Sequence, residues 1–224
     1  VIENGKLVVA TNAEFAPFEY IEGTTFKGID IEIIQGYGDY IGVDVEIKDQ
    51  DFDAALLSVS KHKADVAIAA ITKNSKREET MSFSDAYFTA NQVVIVHQSS
   101  VFASLTTEAE ILAALTSQQA RIGVQRGTTG EYYVEGDADW DFPGIDQTTC
   151  VTYDNGALAA NALNNGQIEA VIIDVAPAQL YVANFSNLMI LDVVLTQEEY
   201  AIATAKGNDT LLASLNAYIA LIKS

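Results

Sequence analysis

The chain has 224 residues, 49% of them hydrophobic, which excludes disorder and permits a substantial core in one large domain or two small ones. Against 12 Lys and Arg stand 31 Asp and Glu, a formal net charge of −19. Nucleic-acid partners need basic surface and are not expected, and docking on anionic lipid headgroups is disfavoured.

The same charge fits a soluble protein of an acidic extracellular or high-salt setting, and equally an acidic field that draws in cationic small molecules. No apolar run reaches the roughly 18 to 20 residues that span a bilayer. The opening "VIENGKLVVAT" lacks a basic n-region, so no signal peptide is expected there; if the protein is exported, its leader has been removed. Cys150 is the single cysteine, so no intrachain disulfide is possible and core packing is its expected role. His62 and His97 share no ligand spacing, and neither zinc nor another cofactor is expected.

"KLVVAT" (6–11) is a continuous apolar run ending in turn residues, the pattern of a buried strand. "FKGIDIEIIQGYGDYIG" (26–42) carries its isoleucines at mostly helical spacing, with Gly42 where a helix stop belongs. "VDVEIKD" (43–49) alternates as a strand does. "DFDAALLSVSKHKAD" (51–65) predicts a helix, with Asp51 or Asp53 near its start and lysines near its end, as the helix dipole favours. "VAIAAI" (66–71) predicts a buried strand. The first ninety residues thus read β-α-β-α-β, the order of a parallel sheet covered by helices.

"ANQVVIVHQ" (90–98) is a further strand. "TTEAEILAALTS" (106–117) is a helix with Thr107 and Glu110 placed as a capping box. "ARIGVQRGTTG" (120–130) is a strand and a glycine-punctuated turn, "CVTYD" (150–154) a short strand, and "NGALAANALNNGQ" (155–167) a helix stopped by Gly166. "IEAVIID" (168–174) and "VAPAQLYVANF" (175–185) give a strand and a helix with Pro177 in its first turn. Segments 188–194 and 198–207 are extended. Residues 208–224 form a terminal helix capped by Asn208 or Asp209, with Leu211, Leu212, Leu215, Ile219 and Ile222 on one face. The repeated β-α-β-α-β order implies two lobes, 1–90 plus 198–224 and 93–195. Hinge strands are expected near 88–93 and 195–200, with a ligand cleft at the hinge.

In open α/β sheets, ligands bind beyond the carboxyl ends of the strands. The residues there are Asn12, Glu14, Phe15, Phe18 and Glu19; Ala69, Ala70, Thr72 and Arg77; Gln125, Gly127, Thr128 and Thr129; and Asp174. Arg77 reads either as a surface arginine in a charged turn or as a bidentate clamp on a carboxylate. The "GTTG" turn is a strand–helix connection or an anion site built from the amides of 128 and 129. Asp174 is a helix cap or a partner for an ammonium group. Phe15 and Phe52 are core residues or the walls of a site. As a set, these residues suit an α-amino acid zwitterion.

With "LVVATNAEFAPFEY", "FKGIDIEI", "ADVAIAAITKNSKREETMSFSDAYF", "RIGVQRGTTGEYY", "NGQIEAVIIDVAPA" and "EEYAIATAKGN" in that order, the chain resembles the amino-acid-binding solute-binding proteins of ATP-driven importers. It is most similar to polar and basic amino-acid binders of Gram-positive bacteria. The resemblance covers nearly the whole chain and implies the two-lobed type II periplasmic-binding-protein architecture, each lobe a mainly parallel sheet flanked by helices. It implies a monomer outside the membrane, periplasmic or tethered as a lipoprotein, which hands an L-amino acid to an ABC transporter permease. It implies no enzymatic activity.

Residue by residue, the resemblance gives Arg77 the α-carboxylate, assisted by Thr72, the Ala70 backbone, Thr128 and Thr129, with Ala69 and Gln125 also among the ligand-binding residues. It gives Asp174 the α-ammonium, and Phe15 and Phe52 the side-chain walls. Asn12 and Glu19 lie where side-chain selectivity is usually set; the neutral amide of Asn12 weakens the case for a cationic ligand, but the aromatic walls, Glu19 and the acidic surface favour arginine, with lysine, glutamine or histidine next. Three departures stand out. Asn12 replaces an aspartate frequent in binders of basic amino acids, Ala70 replaces a usual glycine, and a terminal "GTY" turn and "KW" pair are missing. Two alternatives remain, the sensor domain of a receptor and a dehydratase of small carboxylates with Glu14 or Glu19 as general acid.

Overall fold

The computed structural model describes residues 5–224; residues 1–4, part of the stretch read as lacking a signal-peptide pattern, lie outside them. The backbone groups into two compact units, one running to Thr89 and resuming with Glu198–Ser224, the other Ala90–Gln197.

The first unit opens with β1 (Lys6–Thr11), in which Leu7, Val9 and Ala10 are fully buried. A small antiparallel ribbon follows, of β2 (Glu14–Phe15), β3 (Glu19–Glu22) and β4 (Thr25–Lys27). Helix α1 (Ile29–Ile41) begins after Gly28, whose φ of 116° and contact with the Phe18 carbonyl leave no room for a Cβ. Ile31, Ile34 and Tyr37 form its buried stripe, and Gly42 ends it in the left-handed conformation. Then come β5 (Asp44–Asp49), α2 (Phe52–Ser60), β6 (Val66–Ala67), α3 (Ser75–Glu78), β7 (Met81–Phe83) and β8 (Phe88–Ala90).

Two of these elements are shorter than their sequence pattern. The chain leaves α2 at Ser60, and His62 adopts φ 56°, so Lys61 and Lys63 lie beyond the helix. The apolar run 66–71 pairs as β6 over two residues only. Ile68 still donates to the Ala10 carbonyl at 3.1 Å, but the backbone turns away at Ala70, with φ 48°.

The second unit contains β9 (Gln92–His97), α4 (Glu108–Ser117), β10 (Arg121–Gln125), α5 (Thr129–Glu135), β11 (Thr149–Tyr153), α6 (Gly156–Asn164), β12 (Ala170–Asp174), α7 (Val175–Asn184) and β13 (Leu188–Ile190). The capping box of Thr107 and Glu110 forms at the start of α4. The chain returns to the first unit through β14 (Glu198–Tyr200), β15 (Ala203–Ala205) and α8 (Asp209–Ile222). Along α8, Leu211, Leu215, Tyr218 and Ile219 are buried and Leu212 is half-buried, whereas Ile222, on the same face, is exposed because it is the last residue of the helix, beyond the end of the packed stripe.

The two sheets share one plan. In the first, ordered β5-β1-β6-β15-β7, β1 runs parallel to β5 and β6, and β15 lies antiparallel to β6 and β7. In the second, ordered β11-β10-β12-β9-β13, β10 runs parallel to β11 and β12, and β9 lies antiparallel to β12 and β13. Both sheets are therefore mixed rather than mainly parallel. Each antiparallel strand enters by a connection other than a βαβ crossover, and β15 arrives from the far end of the chain.

One face of the first sheet packs Leu7, Val9 and Ile202 against Ile34 and Tyr37 of α1 and Leu215 and Ile219 of α8. The other face packs Ala10, Ala67 and Ile71 against Phe52, Ala55 and Val59 of α2. Each fully buried Ile or Leu here contributes about 1.5–3 kcal/mol. In the second unit Ile111, Leu115, Ile122, Val124 and Ile172 form the centre, with Cys150 packed against it.

Candidate functional site

In the first unit the candidates gather where β1 and β6 end. Thr11 closes β1, and its hydroxyl donates to the Ile68 carbonyl at 2.7 Å. Asn12 is buried, and its Nδ2 donates to the Gln50 carbonyl at 3.0 Å. Ala69 and Ala70 follow β6 and are buried. Thr72 pairs with Tyr200 in an antiparallel bridge, and its hydroxyl donates to Glu198 Oε2 at 2.5 Å. The loop leaving β6 is thereby tied to β14, and the Ala201 amide donates to the Ile71 carbonyl at 3.0 Å.

Arg77 is buried, 7% exposed. The other arginines, Arg121 and Arg126, are exposed and paired with Glu169 and Asp154. Asn74 caps the short helix α3 by accepting from the Arg77 amide at 2.8 Å. The guanidinium Nη1 donates to the Thr72 carbonyl at 2.7 Å, and its carbon lies 5.3 Å from the centre of the Phe52 ring. A planar donor fork held by a carbonyl and lying over an aromatic ring is oriented before any ligand arrives. The surface-arginine reading of Arg77 does not hold.

Phe15 and Phe52 are both buried. Phe15 stacks on Phe18, at a centroid distance of 6.3 Å. Phe18 meets Phe88 and Tyr200 edge-on at 4.9 and 5.1 Å, so Phe18 belongs to the aromatic core beneath. Glu14 is exposed on β2. Glu19 is fully buried, and its carboxyl neighbours that of Asp30 in α1. Asp30, also fully buried, accepts at Oδ2 from the Ala70 amide at 2.7 Å and from the Tyr87 hydroxyl at 2.8 Å. Burial pushes the Asp30 carboxyl up from its ordinary value, against the opposing pull of its bonds to Glu19, Ala70 and Tyr87.

In the second unit the candidates stand at the ends of β10 and β12. Gln125 is buried, and its carbonyl accepts from the Thr128 hydroxyl at 2.8 Å. Gly127 adopts φ 75°, and its amide donates to the Glu131 carboxylate. The chain's own acid therefore already uses one amide of this turn. Thr128 starts α5 without a side-chain cap bond, and Thr129 is buried. Gly130 lies so close to β12 that a Cβ would sit 2.7 Å from the Ile172 carbonyl, which draws the turn onto the sheet. Asp174 ends β12 at the N-cap position of α7, yet its side chain makes no cap hydrogen bond. Its buried carboxylate is 6% exposed, so a capping role does not account for it.

Sequence reasoning missed Asp30, Tyr87 and Glu198. The signal for Asp30 was an acid on the apolar stripe of "GIDIEI", one residue from buried Ile31. Among the described residues no cluster of His, Cys, Asp and Glu could hold a metal ion, and no helix is long and apolar enough to cross a membrane.

The family model of bacterial extracellular solute-binding proteins, family 3, matches residues 7–224. The chain belongs to that family. A Neisseria gonorrhoeae protein named "Probable histidine-binding protein" is 29% identical over 93% of this chain and 74% of its own length. The arginine-bound form of truncated ArgBP from T. maritima is 32% identical, covers 97% of this chain and 96% of its own, and superposes with a TM-score of 0.85. An ancestral arginine-binding protein bound to glutamine is 31% identical over 99% of this chain and 93% of its own, also with a TM-score of 0.85. These solved relatives share the α/β architecture expected from the resemblance, and the family is one of binding proteins.

Proposed function

We propose that this family member captures a polar L-amino acid outside the cell and delivers it to an ABC transporter, with arginine the favoured ligand and lysine, glutamine or histidine next. The reading is carried by Arg77. A buried guanidinium, fixed by the Thr72 carbonyl and lying over the Phe52 ring, suits the bidentate recognition of a carboxylate. Relatives named for arginine binding, one of them bound to glutamine, support this class of ligand.

In this proposal Arg77, Thr72 and the Ala69–Ala70 backbone take the α-carboxylate with the Gln125–Thr129 turn of the second unit. Asp174 takes the α-ammonium. Phe15 and Phe52 flank the side chain, and Asn12 sets preference among side chains. The protein works as a monomer, in the periplasm or tethered as a lipoprotein, with a permease as its partner. The net charge of −19 favours approach of a cationic ligand. Denaturing purified protein and identifying the released small molecule by mass spectrometry tests the reading: an unchanged amino acid supports it, and a converted product or a non-amino-acid ligand contradicts it.

A further inference from the structure

Asp30 stands in the first turn of α1 and is fully buried. A buried carboxylate persists only where donors replace water. Its Oδ2 has two, the Ala70 amide and the Tyr87 hydroxyl. Ala70 is a residue with a Cβ held at φ 48°, a region that alanine enters only under constraint from its surroundings. Two residues on, the Thr72 carbonyl holds the Arg77 guanidinium. A continuous path thus runs from Asp30 through the Ala70 turn to Arg77.

Glu19, from β3, meets Asp30 in the same enclosed space. Two carboxyls buried side by side cannot both stay ionised without a large cost, and since two ionised carboxylates are acceptors only, a hydrogen bond between them requires a proton on one. Because Asp30 Oδ2 already accepts from two donors, the geometry suits Asp30 as acceptor and Glu19 as proton carrier. The titratable groups facing Asp30 are Glu19 from β3 and Tyr87 from the segment before β8. Burial, and then the charge of Asp30, hold the Tyr87 hydroxyl well above its ordinary value, so it remains a donor.

We propose that Asp30 is a positioning residue for the amino-acid site: it fixes the left-handed turn at Ala70 that places Thr72 and Arg77, and does so as the acceptor half of a singly protonated pair with Glu19. The first half concerns the protein alone; its consequence for affinity rests on the amino-acid reading above.

The test compares wild type, Asp30→Ala and Asp30→Asn in three measurements: hydrogen exchange of the Ala70 amide without ligand, L-arginine affinity by calorimetry, and the infrared carbonyl band of a protonated carboxylic acid at neutral pH. Asparagine keeps an oxygen for Ala70 and Tyr87 and offers an N–H to Glu19, so it replaces the shared proton. The Ala70 amide should be protected in wild type and Asp30→Asn and exchange at least about tenfold faster in Asp30→Ala. Affinity should fall about tenfold or more in Asp30→Ala and stay within about threefold in Asp30→Asn. The acid band should be present in wild type and absent in Asp30→Asn.

Unchanged Ala70 protection in Asp30→Ala, or asparagine as damaging as alanine, would overturn the positioning role. A wild type without the acid band would overturn the shared proton, and that measurement stands even if Asp30→Ala fails to fold. If the exchange and infrared results hold while wild type binds no amino acid, the amino-acid reading fails and the control of Ala70 by Asp30 survives.

Discussion

Arg77 lies over the ring of Phe52, with its guanidinium carbon 5.3 Å from the ring centre. The two residues come from different elements, Phe52 from the first position of α2 and Arg77 from α3. The ring covers one face of the cation while the Thr72 carbonyl takes an edge N–H. In the proposed site, removing the guanidinium would leave the ligand carboxylate buried without its partner, a loss of roughly 3 to 5 kcal/mol. Arg77→Ala should therefore abolish high-affinity binding in a calorimetric titration. Phe52→Leu keeps the bulk but removes the aromatic face, and affinity should drop by about 0.5–2 kcal/mol. Near-normal binding by Arg77→Ala would remove Arg77 from the site.

Asp174 and Asn155 separate function from stability. Asn155 caps α6 by accepting from the Leu158 amide at 2.9 Å. Asn155→Ala should cost about 1 kcal/mol in denaturant unfolding and leave ligand affinity unchanged. Asp174 makes no cap bond. Asp174→Asn should lower amino-acid affinity strongly while the unfolding midpoint moves little. A large loss of stability with intact binding would return Asp174 to a structural role.

Gly28 and Gly207 both adopt positive φ, but their surroundings differ. A Cβ on Gly28 would strike the Phe18 carbonyl, whereas one on Gly207 meets nothing within 4 Å. Gly207→Ala should cost about 1 kcal/mol, the backbone penalty alone. Gly28→Ala should cost upward of roughly 2 kcal/mol, because the entry to α1 and the ribbon must also shift. Chemical denaturation of the two variants compares them directly.

The thiol of Cys150 is pushed up to about 12, first by burial and then by the nearby carboxylates of Glu135 and Glu131. Since the thiolate is the nucleophile, the folded protein should react with a thiol reagent at pH 8 about a thousandfold more slowly than the unfolded chain. The sign of the linkage follows. Between an ordinary thiol value and about 12, the folded state holds a proton that the unfolded state has lost, so this group's contribution to stability falls as pH rises through that window. Fast labelling of the native protein would contradict the burial of Cys150.

The order of strands and helices along the chain was legible because the strand ends announced themselves. "KLVVAT" coincides with β1, and Thr107 with Glu110 forms the expected capping box. Arg77 was legible as a candidate because a cation followed an apolar run. The turn at Ala70 was not, since "VAIAAI" is apolar throughout and alanine gives no sign of a positive φ. Asp30 was hidden because an acid in a helix's first turn already has a reason to be there, in the helix dipole. Glu198 escaped because its partner Thr72 lies 126 residues away, a separation that no local pattern records. The antiparallel half of each sheet was equally out of reach, since pairing such as β15 with β6 is a tertiary fact.

Thermal unfolding of ligand-stripped protein against each of the twenty L-amino acids tests the central claim most directly. A ligand at 100 times its dissociation constant stabilises by about 2.7 kcal/mol, roughly 5 to 10 °C for a chain of this size. The account predicts such a shift with L-arginine or another polar amino acid, and its loss in Arg77→Ala. No shift with any of the twenty would leave the fold in place and contradict the assignment of an amino-acid ligand.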